Sequence, residues 1–189
     1  PEFFLLKRES TQQGTRWLPA DDRDRLDKPS YDLKSLARQL PLLLQLQDTL
    51  ERCGLDVLQI DHEDAHGQYE VNFAHTDALA TADRVMLFKL AAHAIAEQHG
   101  RVFSMMPKPF ANQPGSGMHA HLSLFEGDAN AFYEPGAQYQ LSKVGRQFIA
   151  GQLAHMRDLS LLFAPNINSY KRFAPGSFAP TSIEWGRDN

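Results

Sequence analysis

The chain has 189 residues, 42% of them hydrophobic and 22% charged, and a net charge of −4 from 19 basic and 23 acidic side chains. That length can bury a core of its own in one domain. The lack of a basic run gives no support to a nucleic-acid or membrane-surface partner, and no stretch nears the ~20 apolar residues of a membrane span. The single cysteine, Cys53, excludes an internal disulfide and fits a reducing, cytoplasmic setting. The opening "PEFFLL" predicts a strand over Glu2 to Leu6, and the polar run Ser10 to Ser30, broken by Gly14, Pro19 and Pro29, predicts a surface loop. Leu33, Leu36 and Leu40 sit at helical spacing, and Pro41 is expected to open a second helix that stops at Gly54. "LDVLQIDHED" and "GQYEVNF" predict two strands joined by a short turn at residues 65–67. Asp77 is an N-cap for a helix over Ala78 to Gln98 that Gly100 closes. "RVFSMMP" predicts another strand, and Leu141 to Phe163 a helix with Phe148, Ile149, Leu153, Met156, Leu159 and Leu162 on its apolar side. The pattern is α+β, with a curved antiparallel sheet and helices packed on one face. There is no initiator Met, and the chain stops at "IEWGRDN" without a helix end. Both ends therefore read as cut, and the chain is expected to be part of a larger protein.

The stretch "GSGMHAHLSL" carries a second message. Read as a strand after a glycine turn, it puts Met118, Ala120, Leu122 and Leu124 on one face and His119, His121 and Ser123 on the other. Two imidazoles and a hydroxyl beside Gly115 and Gly117 suit a ligand, although a solvated sheet face and a tight turn explain them as well. The same alternation sets Gln59, Asp61 and Glu63 opposite Leu58, Ile60 and His62. It also sets Gln68, Glu70 and Asn72 opposite Tyr69, Val71 and Phe73. If these strands are neighbours, Glu2, Glu63 and Glu70 converge on one polar face. Clustered carboxylates raise one another's pKa unless a cation sits among them, and oxygen donors with imidazole suit Mg²⁺ or Mn²⁺. The alternative is that Glu63 and Glu70 are solvated strand residues, and alternation does not choose between the two.

In order and approximate spacing, "PEFF", "HEDAHGQYE", "FSMMPKP", "GSGMHAHLSL" and "NSYKRFAPGSFAP" resemble the catalytic domain of glutamine synthetase over nearly the whole chain. The resemblance implies a partial domain of that type over residues 1–189. It implies ATP-dependent phosphorylation of the glutamate γ-carboxylate, followed by attack of an amine on the acyl phosphate. It implies that Glu2, Glu63 and Glu70 ligate one Mg²⁺ or Mn²⁺, that His119 ligates a second, and that His121 and Ser123 contact ATP. Gly115, His119 and Arg172 would meet glutamate, Arg172 with a catalytic role through a bidentate grip on the carboxylate. Small-molecule substrates and a homo-oligomeric ring are implied with them.

Departures from the family pattern carry their own expectations. A further metal-ligating Glu of the family would fall just before Pro1, and an arginine cluster and a last Glu beyond Asn189, so the segment alone is expected to be inactive. Leu58 stands where the family places a nucleotide-contacting Glu, and Pro114 where it places an Asn. Phe178, after Ser177, replaces the Glu that closes the ammonium site. These changes resemble the γ-glutamyl-amine branch, which joins glutamate to polyamines or other amines. Set against this ligase reading are a true glutamine synthetase using ammonia, a zinc hydrolase built on the His-Ala-His segment, and a non-catalytic relative with a structural role. No third His or Cys motif supports the hydrolase.

Overall fold

The computed structural model describes residues 1–177 and 179–186. Strand β1 (Glu2–Thr11) is the hub of a five-stranded antiparallel sheet with β2 (Gly14–Pro19), β3 (Val57–His62), β4 (Gln68–Phe73) and β5 (Val102–Ser104). β1 pairs with β2, β4 and β5, and β4 carries β3 on its far side. Alternation sorts the faces. Phe3 and Leu5 of β1, Tyr69 and Val71 of β4, and Phe103 of β5 join one buried cluster. Helices α1 (Leu33–Arg52) and α2 (Ala78–Gln98) complete that cluster with Leu42, Leu43, Leu46, Leu50, Phe88, Ala92, Ile95 and Ala96. The ring of Phe3 lies 5.2 Å from Phe103, 5.7 Å from Phe88 and 6.0 Å from Tyr69, so one strand residue ties three elements together. The intervening residues Phe4 and Leu6 form a smaller cluster with Ala65 and Phe110 on the opposite face. The α+β architecture is thus the expected one, with α1 and α2 on a single side of the sheet.

Residues 1–118 form one compact unit and residues 119–189 another. The second unit holds a two-stranded hairpin, β6 (Phe125–Glu126) with β7 (Ala129–Asn130), and helices α3 (Lys143–Phe163) and α4 (Ile167–Tyr170). Ser142 caps α3, its side chain accepting from the Gly145 N–H at 3.0 Å. Among the described residues, no helix is long and apolar enough to cross a membrane.

Five expectations need correction. Residues 10–30 are not loop throughout: β1 continues to Thr11 and turns into β2, pairing Arg8 with Trp17 and Glu9 with Arg16. Pro41 does not divide two helices but lies inside α1. Pro41 removes one backbone donor, yet buried Leu42, Leu43, Leu46 and Leu50 beyond it hold the helix against the sheet. Leu58 does not share the face of Ile60 and His62, because a bulge between Val57 and Gln59 leaves it 67% exposed while Val57 takes the inward place. β5 is shorter than its apolar run, ending at Ser104. Finally, Met118 to Leu124 forms no strand. Alternation provides a face, but a strand also needs a paired edge, and this segment has none among the described residues, with Met118 and Leu122 each 61% exposed.

Candidate active site

The sheet brings carboxylates together by register. Glu2 of β1 stands directly opposite Glu70 of β4, and Glu70 stands opposite Asp61 of β3. Directly opposed residues in an antiparallel ladder point to the same face, so the three acids form a row across three strands. Glu63 extends the row: one residue past β3, its N–H donates to the Gln68 carbonyl at 2.9 Å, which continues the pairing by one rung. This is the face opposite the helices, as Phe4 pairs with Gln68 and Phe3 with Tyr69.

The charges feel one another. Burial, followed by the nearby Glu2 and Glu70 carboxylates, pushes the Glu63 carboxyl up to about 7. The donors are the hard oxygens that Mg²⁺ or Mn²⁺ takes, and a divalent cation would offset the repulsion that lifts Glu63. As placed, no three His, Cys, Asp or Glu among the described residues converge to ligating distance. The ladder therefore supplies donors of the right type on one face, short of a closed coordination sphere.

The Gly115–Gly117 loop closes against this row. The Gly117 N–H donates to Glu2 Oε2 at 2.8 Å, and the Glu2 N–H donates to the Gly117 carbonyl at 3.3 Å. Ser116 is buried, its N–H bound to the Pro107 carbonyl at 2.8 Å. Gly115 itself offers its carbonyl inward, to the Gln68 side-chain amide at 3.1 Å.

On its other flank, Glu63 is fixed by the polar segment for which the sequence predicts a surface loop. Asp24 is 3% exposed, and its Oδ2 accepts from the Gly67 N–H at 2.8 Å and faces His62 Nε2 at 2.8 Å. Its Oδ1 accepts from Ser35 Oγ at 3.2 Å. His62 Nδ1 lies 2.8 Å from the carbonyl oxygen of Glu63. Burial works to raise the Asp24 carboxyl, but hydrogen bonds from His62 and Gly67 hold it below the usual carboxylate range. The neighbouring Asp21 behaves alike: burial opposes its charge, and the hydrogen bond from the Arg38 guanidinium wins. Gly67 is required here. Its φ is +70°, and a Cβ would sit 2.9 Å from the Leu5 carbonyl oxygen.

The remaining expected site residues lie in the second unit. His119, His121 and Ser123 are exposed on the irregular stretch before β6. Arg172 is half-buried in the turn after α4, its N–H donating to the Ser169 carbonyl at 3.3 Å and its carbonyl accepting from Ser177 Oγ at 2.7 Å. Phe178 lies outside the described residues.

Two residues beside the carboxylates escaped the sequence reading. Gln68 was assigned to the polar face but given no role, and its buried amide at the centre of the site needs the loop's placement to be seen. Tyr31 lies just before the Leu33, Leu36 and Leu40 spacing, which carries no sign of a role for it. It stands before α1 with φ +60°, exposed, its N–H donating to the His62 carbonyl at 2.9 Å. The nearby Glu63 and Asp61 charges push its phenol up. A left-handed conformation is unusual for a bulky residue and marks a constrained position.

The whole chain, residues 1–189, matches the family model described as glutamine synthetase, catalytic domain. It is 43% identical over 197 residues to a glutamate–methylamine ligase of Methyloversatilis universalis, covering 100% of this chain and 44% of that protein. It is 43% identical over 188 residues to a glutamine synthetase of Mycolicibacterium smegmatis, covering 100% of this chain and 41% of that protein. Among solved structures, the ligand-free form of GmaS superposes with a TM-score of 0.83 at 37% identity over 90% of this chain and 39% of that one. Glutamine synthetase from Plasmodium falciparum superposes with a TM-score of 0.76 at 25% identity, over 93% of this chain and 39% of that one. The chain belongs to the glutamine synthetase catalytic-domain family. It spans less than half the length of these relatives.

Proposed function

We propose that the protein carrying this chain is an ATP-dependent ligase that joins the γ-carboxylate of glutamate to an amine through a γ-glutamyl phosphate. The observation that supports it most is the register: Glu2, Glu70 and Glu63 share one face, and the Gly115–Gly117 loop is hydrogen-bonded against Glu2. In this reading Glu2, Glu63 and Glu70 hold one Mg²⁺ or Mn²⁺, and His119 serves a second. A bound divalent cation would neutralise charge on the phosphates during transfer. Gly115, His119 and Arg172 orient glutamate, Arg172 by a fork to its carboxylate, while His121 and Ser123 contact ATP. Ser177 and Phe178 line the entry of the amine. The same reading carries assembly into a homo-oligomeric ring.

The amine is proposed to be organic. Ammonia needs an anionic group to hold NH₄⁺ and take its proton, because NH₃ is the attacking species. Phe178 supplies an aromatic surface for a carbon chain or a charged tail instead. The likeness to a methylamine ligase supports an organic amine and makes methylamine the first to try, with a polyamine next. Equal identity to a glutamine synthetase keeps ammonia as the second reading. The test is ADP release by the full-length protein with glutamate and a panel of methylamine, polyamines and ammonia. An organic amine is expected to give the highest kcat/KM, with Phe178→Glu shifting preference towards ammonia. Ammonia used as well as every amine would select the second reading, and no glutamate-dependent ADP release would refute the ligase.

A further inference from the structure

Gln68 occupies a position that the proposed chemistry does not explain. Its side chain is 1% exposed, and every polar atom it carries is engaged. Oε1 accepts from the Ala65 N–H at 3.0 Å. Nε2 lies 3.1 Å from Glu2 Oε2, 3.1 Å from the Gly115 carbonyl oxygen and 3.3 Å from Ser116 Oγ. The partners fix which end of the amide is which: a backbone N–H can only donate, and a carboxylate and a carbonyl can only accept. The amide thus spans two elements that are distant in sequence and proposed to hold different ligands. Its Nε2 holds both the carboxylate of Glu2 and the backbone of the Gly115 loop, while its Oε1 is anchored on the β3–β4 turn by the Ala65 N–H.

The geometry has a further consequence. Glu2 Oε2 accepts two hydrogen bonds, from Gln68 and from the Gly117 N–H at 2.8 Å, so the loop and the amide grip the same oxygen. Any displacement of the loop by a substrate is felt at Glu2 through both bonds, and a cation drawing on Glu2 is felt by the loop. A buried, fully satisfied amide is well suited to this, because a partly satisfied arrangement costs the full desolvation of the orphaned group.

We propose that Gln68 is a positioning residue that couples the cation held at Glu2 to the glutamate loop at Gly115–Gly117, so that each ligand strengthens binding of the other. The proposal rests on the ligase reading above. Coupling between two sites is reciprocal and is measured as the ratio of affinities with and without the second ligand. The experiment is calorimetry on the full-length protein, titrating glutamate with and without Mn²⁺, and Mn²⁺ with and without glutamate. In the unmodified protein each ligand is expected to tighten the other by about tenfold. In Gln68→Met, which keeps length and removes both polar ends, the ratio is expected to fall to near one. ATP affinity should change less than twofold. Should Gln68→Met not fold, Gln68→Asn keeps the amide one carbon short of its partners and carries the same expectation. An unmodified protein that releases ADP with glutamate and an amine, but whose Gln68 variants keep the tenfold ratio, overturns the coupling role and leaves the ligase standing. An unmodified protein that binds neither glutamate nor Mn²⁺ overturns both.

Discussion

Glu2 and Glu70 stand face to face in the β1–β4 ladder, two carboxylates in direct opposition on the open side of the sheet. Opposite-charge pairs at such positions stabilise a sheet, whereas like charges work against it. A protein that keeps this pair gives up some stability for a site. Glu70→Gln is therefore expected to raise stability by about 0.5 kcal/mol in the absence of divalent cations. With saturating Mn²⁺ the order should reverse, the unmodified protein gaining stability that the variant does not. Denaturant midpoints under the two conditions check this. A variant that is less stable in both would show that Glu70 serves the fold rather than a cation.

The turn between β3 and β4 gives a sharper steric case. Gly67→Ala must place a methyl 2.9 Å from the Leu5 carbonyl oxygen in a left-handed conformation. A cost of about 3 kcal/mol is expected, from strain and the disturbed Leu5–Gly67 hydrogen bond. Gly54, with φ +84° and nothing within 4 Å of an added Cβ, is the control. Gly54→Ala should cost about 1 kcal/mol, the conformational part alone. Equal losses in the two variants would mean that the close approach to Leu5 does not matter.

The buried pair of Asp24 and His62 sets the acid limit of the fold. Asp24→Ala is expected to cost about 3 kcal/mol, because it strands His62 Nε2, Ser35 Oγ and the Gly67 N–H without their acceptor. The pH dependence follows from the sign of the shift. The folded carboxyls of Asp24 and Asp21 titrate below the ordinary aspartate value of 3.8. Their contribution is fully present above that value and is lost as pH falls through the lower folded values. Thermal unfolding of the unmodified protein should thus weaken steeply below pH 4, and Asp24→Asn should flatten that slope. An unchanged slope would show that this carboxylate does not carry the acid sensitivity.

Much of this was legible in the sequence, and the parts that were not share a cause. Asp77 and the apolar spacing after it predict α2, because an N-cap and helical periodicity are local signals. The inward places of Tyr69 and Val71 follow from strand alternation alone. What alternation lacks is the identity of the neighbouring strand. It assigns Glu2, Glu63 and Glu70 to polar faces, but only the ladder sets them on the same one. Leu58 misleads because one bulged residue shifts everything before it by half a period. Pro41 misleads because the helix-breaking rule is local, while the burial of Leu42, Leu43, Leu46 and Leu50 beyond it is tertiary. The polar run around Asp24 has the composition of a loop, and nothing short of the fold shows that its carboxylate is buried under His62. His119, His121 and Ser123 alternate as a strand would, yet alternation does not supply the partner edge that makes a strand.

The most direct measurement is a calorimetric titration of the full-length protein with Mn²⁺, set beside the same titration of Glu63→Gln. Glu63 lies where burial and the Glu2 and Glu70 charges meet, so a cation held on this face should lose more from its neutralisation than from that of a surface acid. Expected is one site in the unmodified protein that depends on Glu63, weakened at least tenfold in the variant, while Glu9→Gln on the exposed β1–β2 hairpin leaves it unchanged. Equal Mn²⁺ affinity in Glu63→Gln and the unmodified protein would contradict the assignment of this face as the cation site.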